Sequence, residues 1–376
     1  MKRRVFFAWC LFVFLPVVAC AADSVAGGGS RNIAVTNFKD GEVIRYPVPL
    51  IRGKLKEVEG ELSVTNLTSG ADSTEILADV YEGQFRALTE LTPGKNKLLL
   101  KAGDEQKQFT LEYLPQTNPY KLRFFYVTDN SGQTDYISPL SNDPQNYEQK
   151  LDVAAKLMQS FAADSMYRRG HGRKTFNLEY DDDGKIVVHV VKSPKPRSYF
   201  HEKSSFEWYG HVNHIIQSEY PSGERYRHFG IANVTEFDPV AKKVVGGVAL
   251  GSPALALFGS GAMYTWPNSI GDAVRAFTDA TPIDSSKAFD DSAGRSTRWA
   301  NASTSIGAIV HECGHGFGLP HAKDHMAIMN RGFDYFNRVF CFKEPPSRWS
   351  RTEKFYDDAE NAVSWAEGYA AYLAHT

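Results

Sequence analysis

Residues 311 to 321 read His-Glu-Cys-Gly-His-Gly-Phe-Gly-Leu-Pro-His, the pattern H-E-x-x-H-x-x-G-x-x-H. On a helix, positions four apart share a face, so His311 and His315 would offer two imidazoles to one ion, with Glu312 beside its open side. Gly318 lets the chain leave the helix through a sharp turn, because a residue without Cβ adopts the required backbone at little cost. His321 then returns as a third ligand. Three histidines leave the fourth tetrahedral position for water, which is the arrangement of a catalytic zinc, one per chain, rather than a structural one. Zinc would lower that water's pKa toward about 7, and Glu312 would take its proton as general base for attack on a polarised carbonyl. Cys313, two residues from His311, points elsewhere on the helix and is not a ligand candidate.

The elements that must hold these residues can be sketched from the pattern around them. Ile306, Ile309 and Val310 would bury the motif helix, and Ser303-Thr304-Ser305 offers it an N-cap. From about Asn118 the texture is mixed α and β. Leu122–Val127 reads as a buried strand, and Asp143 with Pro144 opens a helix whose apolar face is Tyr147, Leu151, Ala154, Met158 and Phe161. Phe176–Tyr180 and Ile186–Val191 form a hairpin pattern through Asp183-Gly184, with Asp181-Asp182-Asp183 a solvated turn. The uncharged run Val244–Tyr264 is broken by Pro253 and several glycines, so it reads as core strands rather than a membrane span. Ser350 with Glu353 makes a capping-box start for a last helix through about Leu373. His211, His214 and His325 fit ordinary surface, core or outer positions better than ligand positions.

Between Ile33 and Pro115 the apolar residues instead alternate in short runs separated by turn signals such as Pro93-Gly94, the pattern of a β-sandwich of immunoglobulin-like type. The fold class is therefore α+β: a sandwich module over 33–115, with the chain changing character between about Tyr113 and Tyr120, then a mixed α/β catalytic domain over 116–376. Before it, Lys2, Arg3 and Arg4 precede the apolar stretch Val5–Val18, so residues 1–20 read as an export signal and 21–32 as a flexible tether. Val17-Val18-Ala19-Cys20 has the form of a bacterial lipobox that would lipidate Cys20, while Ala19-Cys20-Ala21 also fits a signal peptidase site. These features imply an exported chain, a cell-envelope lipoprotein or otherwise a periplasmic or secreted protein, touching a membrane only through that lipid. Only Cys313 and Cys341 remain in the folded body, either paired or as small buried hydrophobes. Lys+Arg 42 against Asp+Glu 44 leaves a net charge of -2, without the basic field of a nucleic-acid binder.

The eleven-residue stretch resembles the signature of metzincin metallopeptidases. More narrowly, Leu257–Pro267 and the run His321–Arg338 resemble the Metallopep family of zinc metallopeptidases, over roughly the last third of the chain. The resemblance implies a metzincin-like catalytic domain and a methionine turn beneath the metal, for which Met329 in Ala327-Ile328-Met329-Asn330 is the candidate and Met326 the second choice. It implies hydrolysis of peptide bonds in a protein or peptide that lies extended along an edge strand, placed at Ala254–Phe258 and followed by Gly259-Ser260-Gly261. Phe85–Asn96 likewise looks like the strand and turn of bacterial Ig-like modules. Two departures stand out. Ala322 follows the third histidine, where several metzincin subfamilies carry a characteristic residue, and Arg331 stands where some place an oxyanion-stabilising tyrosine, leaving Tyr335 or Arg331 for that role. The rival readings are a zinc-stabilised binding protein or adhesin without turnover, against which Glu312 argues, and a zinc hydrolase of a non-peptide amide.

Overall fold

The computed structural model describes residues 32–56, 60–357 and 363–375. The export signal, Cys20 and the tether as far as residue 31 lie outside the described residues.

The first part of the chain is made of short strands: β1 (Ile33–Val35), β2 (Glu42–Ile44), β3 (Leu50–Leu55), β4 (Leu62–Asn66), β5 (Ile76–Leu77), β6 (Asp79–Tyr81), β7 (Gln84–Leu88), β8 (Gly94–Ala102) and β9 (Glu105–Tyr113). They form two sheets, ordered β1-β3-β7-β6 and β2-β9-β8-β4-β5. Alternation explains the shared core: along β8, Leu98, Leu100 and Ala102 are buried and the residues between them are not, so one face turns inward.

The second part is organised on a larger sheet. Its strands are β10 (Lys121–Thr128), β11 (Asn177–Leu178), β12 (Val188–Lys192), β13 (Tyr226–Ala232), β16 (Ala249–Gly251) and β17 (Ala256–Gly259), with the small hairpin β14 (Glu236–Asp238) and β15 (Lys243–Val245) between them. The chain is thus mixed α and β with several separate sheets. The central strand β10 is apolar on both faces, as a covered parallel strand must be. Leu122, Phe124 and Tyr126 enter the main core with helix α1 (Tyr147–Arg168), while Phe125 and Val127 meet Trp208, Val212 and Ile216 of α3 (Ser205–Glu219), which follows the short α2 (Arg197–Glu202).

After β17 come α4 (Ala273–Ala276), the motif helix α5 (Arg298–Gly316), a 3₁₀ segment over Arg331–Val339, the hairpin β18 (Lys343–Glu344) and β19 (Lys354–Phe355), and α6 (Glu367–Leu373). Among the described residues no helix is long and apolar enough to cross a membrane.

Several local expectations need correction. The motif helix begins at Arg298 with Thr297 as N-cap, so Ser303-Thr304-Ser305 lies inside it. Those hydroxyls are buried and bound instead: Ser303 Oγ donates to Asn337 Oδ1 at 2.9 Å, and Ser305 Oγ accepts from Trp266 Nε1 at 2.8 Å. Asn146, not Asp143, caps α1; the Asp143 carboxylate is taken up by the Tyr136 hydroxyl at 2.9 Å. The turn at Asp183-Gly184 exists, but its arms share only the Tyr180–Ile186 bridge, because β11 and β12 each pair in parallel with β10. Ser350 and Glu353 start no helix; β19 follows, and α6 begins only at Glu367. Cys313 and Cys341 are both buried and free, so no disulfide joins them.

The two parts are fastened through buried charge. Asp164 on α1 accepts from Arg52 of β3 at 3.2 and 2.9 Å and from Arg168 at 2.9 Å. Arg86 of β7 donates to the carbonyls of Arg338 and Cys341 at 2.7 and 2.6 Å and lies over the Phe342 ring. Val48, Leu50 and Leu88 belong to the main core, and Ala163 of α1 packs into the core between the first two sheets.

Candidate metal centre and active site

Helix α5 presents His311 and His315 on one face, and its end is built to bring back His321. The Gly318 N–H donates to the His315 carbonyl and the Leu319 N–H to that of Gly314, both at 2.9 Å, with Gly318 at φ +84°. This is a Schellman closure with glycine in the left-handed position. It satisfies the last carbonyls and reverses the chain, so that the His321 ring lies 5.2 Å from His311 and 4.9 Å from His315. One ligand atom from each of the three histidines falls within 4.8 Å of the others, a group that could hold a metal ion.

The hydrogen bonds fix which ring nitrogen is available. His311 Nδ1 lies 2.8 Å from the Ile328 carbonyl, and His315 Nδ1 lies 2.8 Å from that of Leu319. A carbonyl only accepts, so Nδ1 carries the proton and Nε2 keeps its lone pair for a metal. The two Nε2 atoms are 3.2 Å apart. Ligands at the usual zinc–nitrogen distance and tetrahedral angle would stand roughly 3.3 Å apart, so the pair fits zinc with little movement. Burial pushes the His311 pKa down to about 4 and lowers that of His315 as well, which favours the neutral, ligating form.

Glu312 is buried at 8 % exposure, and burial raises its pKa to about 7. Its side chain lies against the sheet edge: a Cβ on Gly251 would come 2.7 Å from Glu312 Oε2 and 2.8 Å from His315 Cβ. That edge is not where the resemblance placed it. Ala256–Gly259 is an interior strand paired on both sides, whereas β16 is the antiparallel edge strand, because the chain turns back at Ser252–Leu255 and adds one more strand. Tyr209 of α3 ties that turn, donating to the Leu255 carbonyl at 2.6 Å and lying 2.8 Å from Ser252 Oγ. Burial raises the Tyr209 pKa, and the nearby Glu312 charge adds to it.

Beneath the helix, the Met329 sulfur occupies the space where Gly314 has no Cβ. Met329 is fully buried while Met326 is only partly so. The motif therefore carries glycine at 314 for a packing reason. Arg331 ion-pairs with Asp334 at 2.6 Å and lies 4.8 Å over Phe333, whose ring is 5.1 Å from His311. The Tyr335 ring instead sits between the guanidinium groups of Arg338 and Arg295, at 4.2 and 5.5 Å, and lines a separate cavity. His325 lies 6.3 Å from the Tyr335 ring and outside the histidine group. His211 bonds Ser193 Oγ at 2.9 Å, a satisfied half-buried residue outside the histidine group.

Positions that the sequence pattern did not reveal complete the site. Ser364 accepts on its carbonyl from the Ile328 N–H at 2.9 Å, bracing the residue that orients His311, and the Tyr369 hydroxyl donates to the His321 carbonyl at 3.1 Å. Neither residue lies in a recognisable motif. Gly251 carries one signal, its place in a strand pattern, since an isolated strand glycine often marks close backbone approach.

Comparison with known proteins places this geometry in context. Residues 32–368 match the Metallopep family, described as a "Putative peptidase family". A "Putative zinc metalloproteinase" of Schizosaccharomyces pombe is 29% identical over 294 residues, 73% of this chain and 47% of the relative. Another of Saccharomyces cerevisiae is 27% identical over 355 residues, 84% of this chain and 50% of the relative. The chain thus spans about half the length of the curated relatives it matches. Among solved structures, OgpA from Akkermansia muciniphila aligns with a TM-score of 0.41 at 17% identity, over 69% of this chain and 61% of that one. Archaemetzincin from Methanopyrus kandleri aligns with a TM-score of 0.27 at 11% identity, over 69% and 97%. Both likenesses are loose.

Proposed function

Because this chain belongs to the Metallopep family of peptidases, we propose that it is a zinc-dependent metallopeptidase in which His311, His315 and His321 hold one zinc ion and Glu312 is the general base. The observation that carries this reading is the pair of Nδ1 bonds to the Ile328 and Leu319 carbonyls, which leaves two neutral Nε2 donors 3.2 Å apart beside a third histidine. A zinc ion held there supplies Lewis acidity, polarising a carbonyl and acidifying water. Glu312, buried against Gly251, takes the proton from the attacking water and passes it to the leaving amine. The substrate backbone pairs with the free edge of β16 as an added strand, which gives main-chain affinity with little sequence discrimination. Arg331, behind Phe333, is better placed than Tyr335 to reach the developing oxyanion, and Met329 supports the helix from below.

The deciding experiment separates metal binding from catalysis. Glu312→Gln should keep zinc near one per chain by elemental analysis yet lose about 10² to 10⁴ in turnover, whereas His321→Ala should lower zinc occupancy. Near-normal activity in Glu312→Gln overturns the mechanism, and full occupancy in His321→Ala removes that residue from the ligand set. New protein N-termini produced by wild type but not by Glu312→Gln would identify the peptide substrates.

The chain acts outside the cytoplasm in this reading, held at the cell envelope by a lipid on Cys20, with an immunoglobulin-like module over 33–115 presenting the catalytic domain over 116–376. Mass spectrometry of the mature protein tests the anchor. An unmodified N-terminus at Ala22 or Asp23 excludes it.

A further inference from the structure

A second polar cavity, of about 150 Å³, lies between the 3₁₀ segment Arg331–Val339 and the loop carrying Trp349. None of the three motif histidines lines it, nor does Glu312. Arg295 forms part of its wall at 2 % exposure. Its Nε donates to the Ser292 carbonyl at 2.9 Å, and its Nη2 to Thr304 Oγ1 and the Asp334 carbonyl at 2.8 and 2.6 Å. All three acceptors are neutral. The Nη1 group is buried without an acceptor among the described residues, and so is the indole Nε1 of Trp299 in the same wall.

Two of the neighbouring carboxylates are each taken up by another arginine. Asp334 pairs with Arg331 at 2.6 Å, and Glu344 pairs with Arg338 through two bonds at 2.6 and 3.2 Å. Lys354 adds a further positive charge to the lining. Asp291, buried nearby, faces both Arg331 and Arg295 but makes no bond to the Arg295 guanidinium, so Nη1 is left with an unmade hydrogen bond in a buried setting, which is costly. The aromatic rings of Trp299, Tyr335 and Trp349, 4.9 to 5.9 Å from the guanidinium carbon, soften its charge but offer no acceptor in the plane of the fork. The free Nη1 group, a charged donor with no acceptor, suits an oxygen of a carboxylate or a phosphate.

We propose that this cavity binds a small oxyanion, a carboxylate or phosphate group, held by Arg295 Nη1 and Trp299 Nε1 in a site separate from the metal centre. Trp349, 61% exposed, stands on its rim. Tyr335, which the sequence offers to catalysis, belongs to the wall of this second site.

The test uses the zinc-loaded chain and three probes, sodium acetate, phosphate and sulfate, with sodium gluconate at equal ionic strength as an anion too large for the cavity. Thermal unfolding should show a Tm rise that saturates with at least one small anion and is absent with gluconate. Trp299→Phe keeps the ring and removes one N–H, and should weaken the apparent Kd roughly threefold to tenfold. Arg295→Gln should abolish saturation, and if that variant fails to fold, Trp299→Phe still decides the matter. Equal, non-saturating responses to gluconate and the small anions overturn the proposal, as does an unchanged Kd in Trp299→Phe.

Discussion

Replacing Gly251 by alanine would insert one methyl group between the edge strand and the proposed general base. The new Cβ would lie 2.6 Å from the Glu312 carbonyl oxygen, 2.7 Å from its Oε2 and 2.8 Å from His315 Cβ, where ordinary contact begins near 3.4 Å. Strand β16 and helix α5 must therefore separate by about 0.6 to 0.8 Å, or the carboxylate must swing away. Two of the three clashing atoms are the Glu312 backbone oxygen and the His315 Cβ, so rotation of the Glu312 side chain alone cannot relieve the overlap. A misplacement of about 1 Å at a catalytic group can cost about 10²-fold, so kcat/KM should fall by roughly 10- to 100-fold. Overpacking should also reduce stability by about 1 to 3 kcal/mol. The assay is kcat/KM on a cleaved peptide, read beside zinc content and a urea unfolding curve. Gly210→Ala is the control: Gly210 sits in α3 with nothing within 4 Å of its Cβ position, so this change should leave activity intact and gain up to about 1 kcal/mol of helix stability. If Gly251→Ala retains kcat/KM within threefold of wild type at full zinc occupancy, the contact between β16 and Glu312 does not position the base.

The remaining predictions concern the join between the two parts of the chain. Asp164→Asn leaves Arg52 buried without its carboxylate and should cost about 3 to 5 kcal/mol in urea unfolding; a loss under about 1 kcal/mol would show that the pair is not effectively buried. Burial pushes the Asp164 pKa up, but the Arg52 and Arg168 charges outweigh it and hold the group below the usual carboxylate value. A depressed folded-state pKa contributes stability above the unfolded value of about 3.9 and loses it as pH falls through the folded value, so wild type and Asp164→Asn should converge only in strong acid. A chain starting at Thr117 breaks the Arg52 and Arg86 contacts together, so it should be insoluble or unfold at markedly lower urea; a fragment as stable as the longer chain would show that the part after Pro115 folds without these contacts.

The candidate site was legible because its information is local. The spacing of His311, Glu312 and His315 fixes a shared helical face through the 3.6-residue period, and Gly318 announces the turn that returns His321. The alternation in β8 and the doubly apolar β10 announced sheets for the same reason, that burial of one face or two is written into neighbouring residues. Helix starts were misread where hydroxyl residues do other work: Ser303 and Ser305 resemble caps in sequence but bond Asn337 and Trp266 inside the helix. The edge strand was displaced from Ala254–Phe258 to β16 because pairing order depends on how the chain turns at Ser252–Leu255, not on apolarity.

Only the tertiary structure brought Gly251 against Glu312, the Ser364 carbonyl onto the Ile328 N–H, and the Tyr369 hydroxyl onto the His321 carbonyl. These contacts join residues dozens of positions apart, and a backbone carbonyl or a missing Cβ has no residue type to advertise it. The sequence by itself therefore determined which side chains could meet a metal ion. Tertiary packing decided which ring nitrogen of His311 and His315 is left to meet it, because that choice rests on backbone carbonyls set in place by the turns that follow.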